Sequence, residues 1–238
     1  MLKSLLASAL FAGLIAGLFA AGLQQAFLVP LITEAELYET GAIVHFGGAG
    51  AAVAEHSHAA GEAAGHGHAA PDNGGDLTRT LLTVLMTVLT TCGFGLILGA
   101  GLALAERMAL THIDLRTGFL FGLAGFAATQ LMPSLGLSPE LPGAAAGELA
   151  HRQVWWLATV AATLIGIGLI AYGNTAAKIA GAVLIAAPHL VGAPHPHEFE
   201  GVVPPELSAL FAARVLAVGA LSWAALGALA GHFWSREA

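Results

Sequence analysis

Three histidines and two glutamates fall within the twelve residues "HLVGAPHPHEFE", from His189 to Glu200. Imidazole nitrogen and carboxylate oxygen together form a donor set for a borderline divalent cation such as cobalt, nickel or zinc. Copper(I), in contrast, selects thiolate or thioether. Pro188, Pro194 and Pro196 restrict the backbone on both sides of these histidines. A stiff segment loses less freedom when it closes on an ion. A second set lies in "HFGGAGAAVAEHSHAAGEAAGHGHAAPDNGGD", where His45 precedes the pairs His56, His58 and His66, His68. Spaced pairs on a flexible chain can close round one ion without a preformed fold. The candidate metal ligands are therefore His189, His195, His197, Glu198, Glu200, His56, His58, His66 and His68. A solvated acidic loop, or a proton buffer, would have the same composition as the second set.

The elements that must carry these groups are apolar. The chain has 57% hydrophobic and 10% charged residues, with a mean hydropathy of +0.78. Those values lie outside the soluble range and point to an all-α integral membrane protein, a single polytopic domain over 1–238. Six apolar runs, at about 4–28, 80–105, 117–132, 154–172, 176–193 and 211–234, predict about six transmembrane helices. The third and fifth are short and run into Pro133 and Pro188, where a helix is expected to stop. The first run exceeds the ~7–15 apolar residues of a signal peptide, so a retained first helix is expected. The segment at about 40–76 buries too little apolar surface to build a core and is expected to be a disordered external loop. Cys92 is the single cysteine, so no disulfide forms within the chain.

Lysine and arginine near span ends favour the cytoplasmic side. With six spans and both termini inside, Lys3, Arg107, Arg116, Lys178 and Arg236 face the cytoplasm, and Arg79, Arg152 and Arg214 lie outside. On that topology every acidic residue except Glu106, Asp114 and Glu237, and every histidine except His112 and His232, sits outside. The net charge of -7 is then concentrated on one face, which attracts cations.

Three pseudo-repeated helical hairpins are also expected. "VPLI" at Pro30, "MPSL" at Pro133 and "APHL" at Pro188 close the outgoing helices. "AELYE", "SPELP" and "PPELS" follow around Glu36, Glu140 and Glu206, and Arg79, Arg152 and Arg214 open the returning helices. Parallel repeats of this kind occur in transporters, with the path at the repeat interface. Gln24, Gln25, Gln130 and His189 would be counterparts near the outer helix ends. Thr80, Thr83, Thr87 and Thr90, with Met86 and Thr91 alongside, place hydroxyls on one helix face, where helix packing is the favoured reading. "GLIAG" at Gly13 and Gly17, "GFLFG" at Gly118 and Gly122, and "GALAG" at Gly227 and Gly231 are expected to be close helix contacts.

The motifs "PLITEAELYE", "GFLFGLAGFA", "LMPSLGLSPELPG", "RQVWWLAT" and "PHLVGAPHPH" together resemble the CbtA family of predicted cobalt transporter subunits, over nearly the whole chain. The resemblance implies a multi-pass protein of the bacterial inner membrane that takes up cobalt with a small single-span, histidine-containing subunit, CbtB. No tightly bound cofactor is expected, and the metal is cargo. The expected function is uptake of a divalent transition metal, cobalt by that resemblance, with external His and Glu loops, periplasmic on the expected topology, capturing the ion. The alternative is an accessory membrane protein that delivers or buffers cobalt, nickel or zinc for another transporter. No zincin, P-loop or nucleophile motif suggests an enzyme, and nothing suggests a nucleic-acid partner.

Overall fold

In a bilayer every backbone amide must find its partner within the protein, and this chain meets that demand with helices. The structure is a computed structural model that describes residues 2–45, 73–196 and 201–237. Its helices are α1 (Leu2–Phe27), α2 (Val29–Glu39), α3 (Asn73–Arg107), α4 (Leu115–Phe126), α5 (Met132–Ser134), α6 (Leu149–Tyr172), α7 (Thr175–Val191) and α8 (Pro205–Glu237). A π-helical turn, Ala127–Leu131, joins α4 to α5. All six apolar runs are helical. Four helices, α1, α3, α6 and α8, are long and apolar enough to cross a membrane, and α7 is a shorter apolar helix. The 35 residues of α3 and 33 of α8, at ~1.5 Å each, outrun a ~30 Å hydrocarbon core. Their polar ends therefore stand clear of it.

The prolines end helices less sharply than expected. Pro30 sits at the start of α2, where its missing N–H would have had no intrahelical partner anyway, so the chain stays helical to Glu39. Pro133 lies within α5, directly after the π turn, and Pro188 lies inside α7. It is Gly192, at φ +88°, that closes α7. Helix starts also come earlier than the apolar runs suggest. Asp76 and Glu206 occupy the first turns of α3 and α8, where a carboxylate favours the helix dipole, so polar residues extend both helices outward. Of the segment at about 40–76 expected to be a disordered loop, residues 73–76 are helical, and residues 46–72 lie outside the described residues.

Glycines set the packing. A Cβ on Gly118 would stand 2.3 Å from the Gly227 carbonyl oxygen, and one on Gly122 would stand 2.2 Å from that of Trp223. From the facing side, a Cβ on Gly231 would lie 2.3 Å from the Asp114 oxygen. Helices α4 and α8 thus meet backbone to backbone, antiparallel. Gly13 and Gly17 set α1 against Cys92 and Val88 of α3, and Gly166 and Gly181 face each other across α6 and α7. Helix α1 also packs along α8. The second and third expected hairpins do not pack as units. Helix α4 lies on α8 and α6 on α7, because those are the faces where glycine admits the neighbouring backbone. Two apolar clusters result. One holds Leu98, Leu102, Ile113, Trp223, Leu226 and Trp234, and the other unites Leu31 of α2 and Leu141 with Val203, Leu207 and Phe211. Leucines 81, 85 and 89 of α3, with Leu157 and Leu164 of α6, remain exposed, as lipid-facing residues should.

Replacing Gly122 with leucine forces α4 off α8 and is expected to cost about 3 kcal/mol or more of stability. Gly22→Ala and Gly93→Ala, whose new methyls meet nothing within 4 Å, are expected to be neutral or to stabilise by up to about 1 kcal/mol. Thermal unfolding of the detergent-solubilised variants measures both.

Candidate functional site

The antiparallel packing gathers the loop-proximal ends of the helices at one end of the bundle. There the Arg79 guanidinium donates to both Glu36 carboxylate oxygens, through Nη1 to Oε2 at 3.0 Å and through Nη2 to Oε1. Arg152 Nη2 donates to Glu140 Oε2 at 2.8 Å. Two of the three expected glutamate and arginine counterparts therefore pair with each other. The third arginine differs: Arg214 Nη1 donates to the Phe27 carbonyl at 3.2 Å, tying α8 to the end of α1. At the opposite end, Trp234 Nε1 donates to Glu106 Oε2 at 3.0 Å, and Asp114 caps α4 through Thr117 N–H at 2.7 Å. That amide holds the Asp114 carboxyl below the usual carboxylate range.

Of the candidate metal ligands, His189 and His195 lie among the described residues. His197, Glu198, Glu200, His56, His58, His66 and His68 lie outside them. His189 stands in the last turn of α7, its ring edge-on to Trp155 at 5.7 Å between centroids. Its Nε2 is buried without a hydrogen-bond partner among the described residues. Trp155 Nε1 donates to the Pro188 carbonyl at 3.1 Å, which fixes the turn that carries the imidazole. His195 is exposed in the loop beyond. Gly147 lets that loop come close, since a Cβ there would lie 3.0 Å from the Pro194 oxygen. Next to Gly147, Glu148 Oε2 and His151 Nδ1 stand 3.0 Å apart. Sequence reasoning passed over this His and Glu pair, although its spacing puts both on one helix face. Among the described residues, no three of His, Cys, Asp or Glu are grouped to hold one ion.

A cavity of about 570 Å³ lies at the same end, between α1, α3, α8 and the π turn. It brings together residues that the sequence presents far apart. Gln24 comes from α1, Thr83, Met86, Thr87, Thr90 and Thr91 from α3, Gln130 from the π turn, and Ser222 from α8. Thr80 is not part of the lining, and neither is His189. The threonine face bonds its own backbone and a neighbouring helix, as the packing reading expects, and it also lines this cavity. Thr87 Oγ1 donates to Gln24 Oε1 at 2.9 Å, across α1 and α3. Gln130 Oε1 is buried with no hydrogen-bond partner among the described residues, in a notch that exists because residue 219 is glycine. Phe94, Trp223 and Leu226 form the cavity floor; the Phe94 and Trp223 rings are 4.9 Å apart and also line a second, apolar cavity of about 600 Å³ between α3, α4 and α6. Gly125 makes room for the Trp223 ring, which a Cβ there would meet at 2.4 Å. Ser222 and Gly219 were not singled out in the sequence. The only signal was one polar residue within the apolar run "VGALSWAAL".

Placing a methyl on Gly219 would put it 1.7 Å from Gln130 Oε1. Because that oxygen ends a flexible side chain, Gly219→Ala is expected to cost only about 1 kcal/mol, by pushing the amide out of its notch. In a Gln130→Ala background the same change is expected to cost nothing. A double-mutant cycle on unfolding temperature reads the difference.

The sequence model of a family described as "Probable cobalt transporter subunit (CbtA)" matches residues 2–235. No curated protein and no solved structure shows significant similarity to the chain.

Proposed function

The chain belongs to the CbtA family of cobalt transporter subunits, and on that premise we propose that it takes up a divalent transition metal, most simply cobalt, through its own helical body. It is a multi-pass membrane protein. In the proposed topology both termini are cytoplasmic and the histidine-rich loops face the periplasm of a bacterial inner membrane. His195, His197, Glu198 and Glu200, with His189 behind them, capture the ion from outside. His56, His58, His66 and His68 raise its local concentration without forming the path. A small single-span subunit bearing histidines completes the transporter. The chain itself performs no chemistry on its cargo.

The observation that carries this reading is the cavity beneath the loop end, whose mostly apolar wall carries a group of hydroxyls and amides. An accessory protein that only holds metal outside has no use for hydroxyls and amides gathered at membrane depth, where polar groups are costly and mark ion pathways. Buffering or delivery for another transporter therefore comes second. Its support is that no residue lining the cavity carries a charge.

Proteoliposomes containing this chain, alone and with its partner subunit, are expected to accumulate radioactive cobalt. Metal binding without uptake in either preparation would favour the accessory role. Replacing His195 and His197 together with alanine is expected to raise the half-saturating cobalt concentration about tenfold, a loss of ~1.4 kcal/mol of capture. Uptake at excess metal should be spared, and equal loss at both concentrations would remove capture from these residues. In a Cys92→Ala background, single cysteines placed at Ser57 and Glu198 are both expected to react with an impermeant maleimide added outside. Labelling from opposite sides would end the shared capture face.

A further inference from the structure

The cavity's chemistry is set by where its hydroxyl protons go. Thr83 Oγ1 donates to the Arg79 carbonyl at 2.9 Å, Thr91 Oγ1 to that of Thr87 at 2.7 Å, and Ser222 Oγ to that of Val218 at 2.7 Å. A carbonyl oxygen cannot donate, so the direction of these three bonds is fixed. Thr87 likewise gives its proton to Gln24 Oε1. Each of these hydroxyls has committed its only hydrogen to protein and has lone pairs left for whatever enters. The polar part of the lining therefore offers acceptors and carries no formal charge, within a wall that is otherwise mostly apolar.

A hydrated divalent cation is the complement of such a surface. The waters bound to the metal turn their hydrogens outward, so the whole complex presents donors in every direction. An anion would need donors from the wall; the four hydroxyls have none to give, which leaves the Thr90 hydroxyl and the amide N–H groups of Gln24 and Gln130 as its donors. A stripped dication would need anionic ligands to offset its desolvation, and the cavity offers none. Size agrees: at ~30 Å³ per water, an ion with an octahedral shell of about six waters fits well within the available volume, which is about 570 Å³. The Gln130 amide adds a second, independent sign. It lies on a π turn, a distortion common at functional sites. Its buried oxygen has no partner among the described residues, so a turn of the side chain could offer that oxygen to a ligand at little loss.

We propose that this cavity is a relay site that holds the metal ion in its outer sphere, with its water shell intact, between capture at the histidines and passage beyond the Phe94 and Trp223 rings. The inference rests on the uptake reading and names the site through which uptake proceeds. Neutral acceptors bind such an ion weakly enough to release it, which a path requires and a carboxylate cage would hinder.

The probe is hexaamminecobalt(III), whose six ammine ligands do not exchange and which presents only N–H donors. It is expected to block cobalt uptake by wild-type protein in proteoliposomes and to bind the purified chain with His195 and His197 replaced by alanine. Thr87→Val with Thr91→Val, which keeps shape and removes two acceptors, is expected to weaken probe binding and cobalt uptake about tenfold, the loss of one to two hydrogen bonds. Thr87→Ser with Thr91→Ser is expected to restore both, which also shows that the loss is not one of folding. Wild-type uptake that is unaffected by the probe, or valine variants that match wild type, would overturn the relay site and leave the transporter reading intact. Absence of uptake by wild type with its partner would instead remove the transporter reading itself, while probe binding to the purified chain would still report on the cavity.

Discussion

Everything in this molecule depends on how closely two helix backbones can approach where water is not available to drive them together. In lipid, apolar side chains gain little by leaving their neighbours, so association must come from van der Waals contact and interhelical hydrogen bonds. The chain achieves that contact by leaving out side chains. Gly118 and Gly122 of α4 meet Gly227 and Gly231 of α8, Gly13 and Gly17 of α1 meet α3, and Gly166 meets Gly181 across α6 and α7. The contact of α4 with α8 has the widest consequences. It lays the π turn alongside Gly219, so that Gln130 reaches into the bundle, and it presents Gly125 to Trp223, so that the indole can lie across the cavity floor. Walls and floor of the cavity thus follow from the same glycine register.

The two ends of the bundle differ in chemistry as much as in charge. The loop-proximal end carries Glu36 with Arg79 and Glu140 with Arg152, exposed or half-exposed pairs. Such pairs add little stability. Their effect is to orient: each ties the polar segment after one helix to the start of the next. Leu31 and Leu141 pack with Val203 and Leu207 beneath them, so this end is capped by an apolar cluster of its own. Below the cap the lining becomes neutral and the charges stop. In the uptake reading, charge and imidazole serve where water can compensate them, and uncharged oxygen serves where it cannot.

Much of the architecture was legible in the residues. The six apolar runs became helices, and the "GLIAG", "GFLFG" and "GALAG" spacings became close contacts, because helix formation and glycine approach are local properties of sequence. Local rules placed the end of α1 near Pro30, at Phe27, and the end of α5 just after Pro133, but Pro188 lies inside α7, where the last turn absorbs it. The glutamate and arginine counterparts were visible as a repeat, and two of them pair. The hairpins did not follow, because which helix faces which is decided by glycine faces far apart in the chain.

The sequence by itself determined that the chain is a helical membrane protein, that its histidines, apart from His189 and His232, and its carboxylates lie outside the apolar runs, and which glycines would admit a neighbouring helix. Composition and periodicity carry those statements without reference to a partner segment. Only the tertiary structure decided that Gln24, Thr87, Gln130 and Ser222 share one cavity and that His189 stands apart from it against Trp155. A threonine on a helix looks the same in sequence whether it faces lipid, a neighbouring helix or a cavity. The difference lies in what the other helices bring opposite it, and that depends on long-range packing.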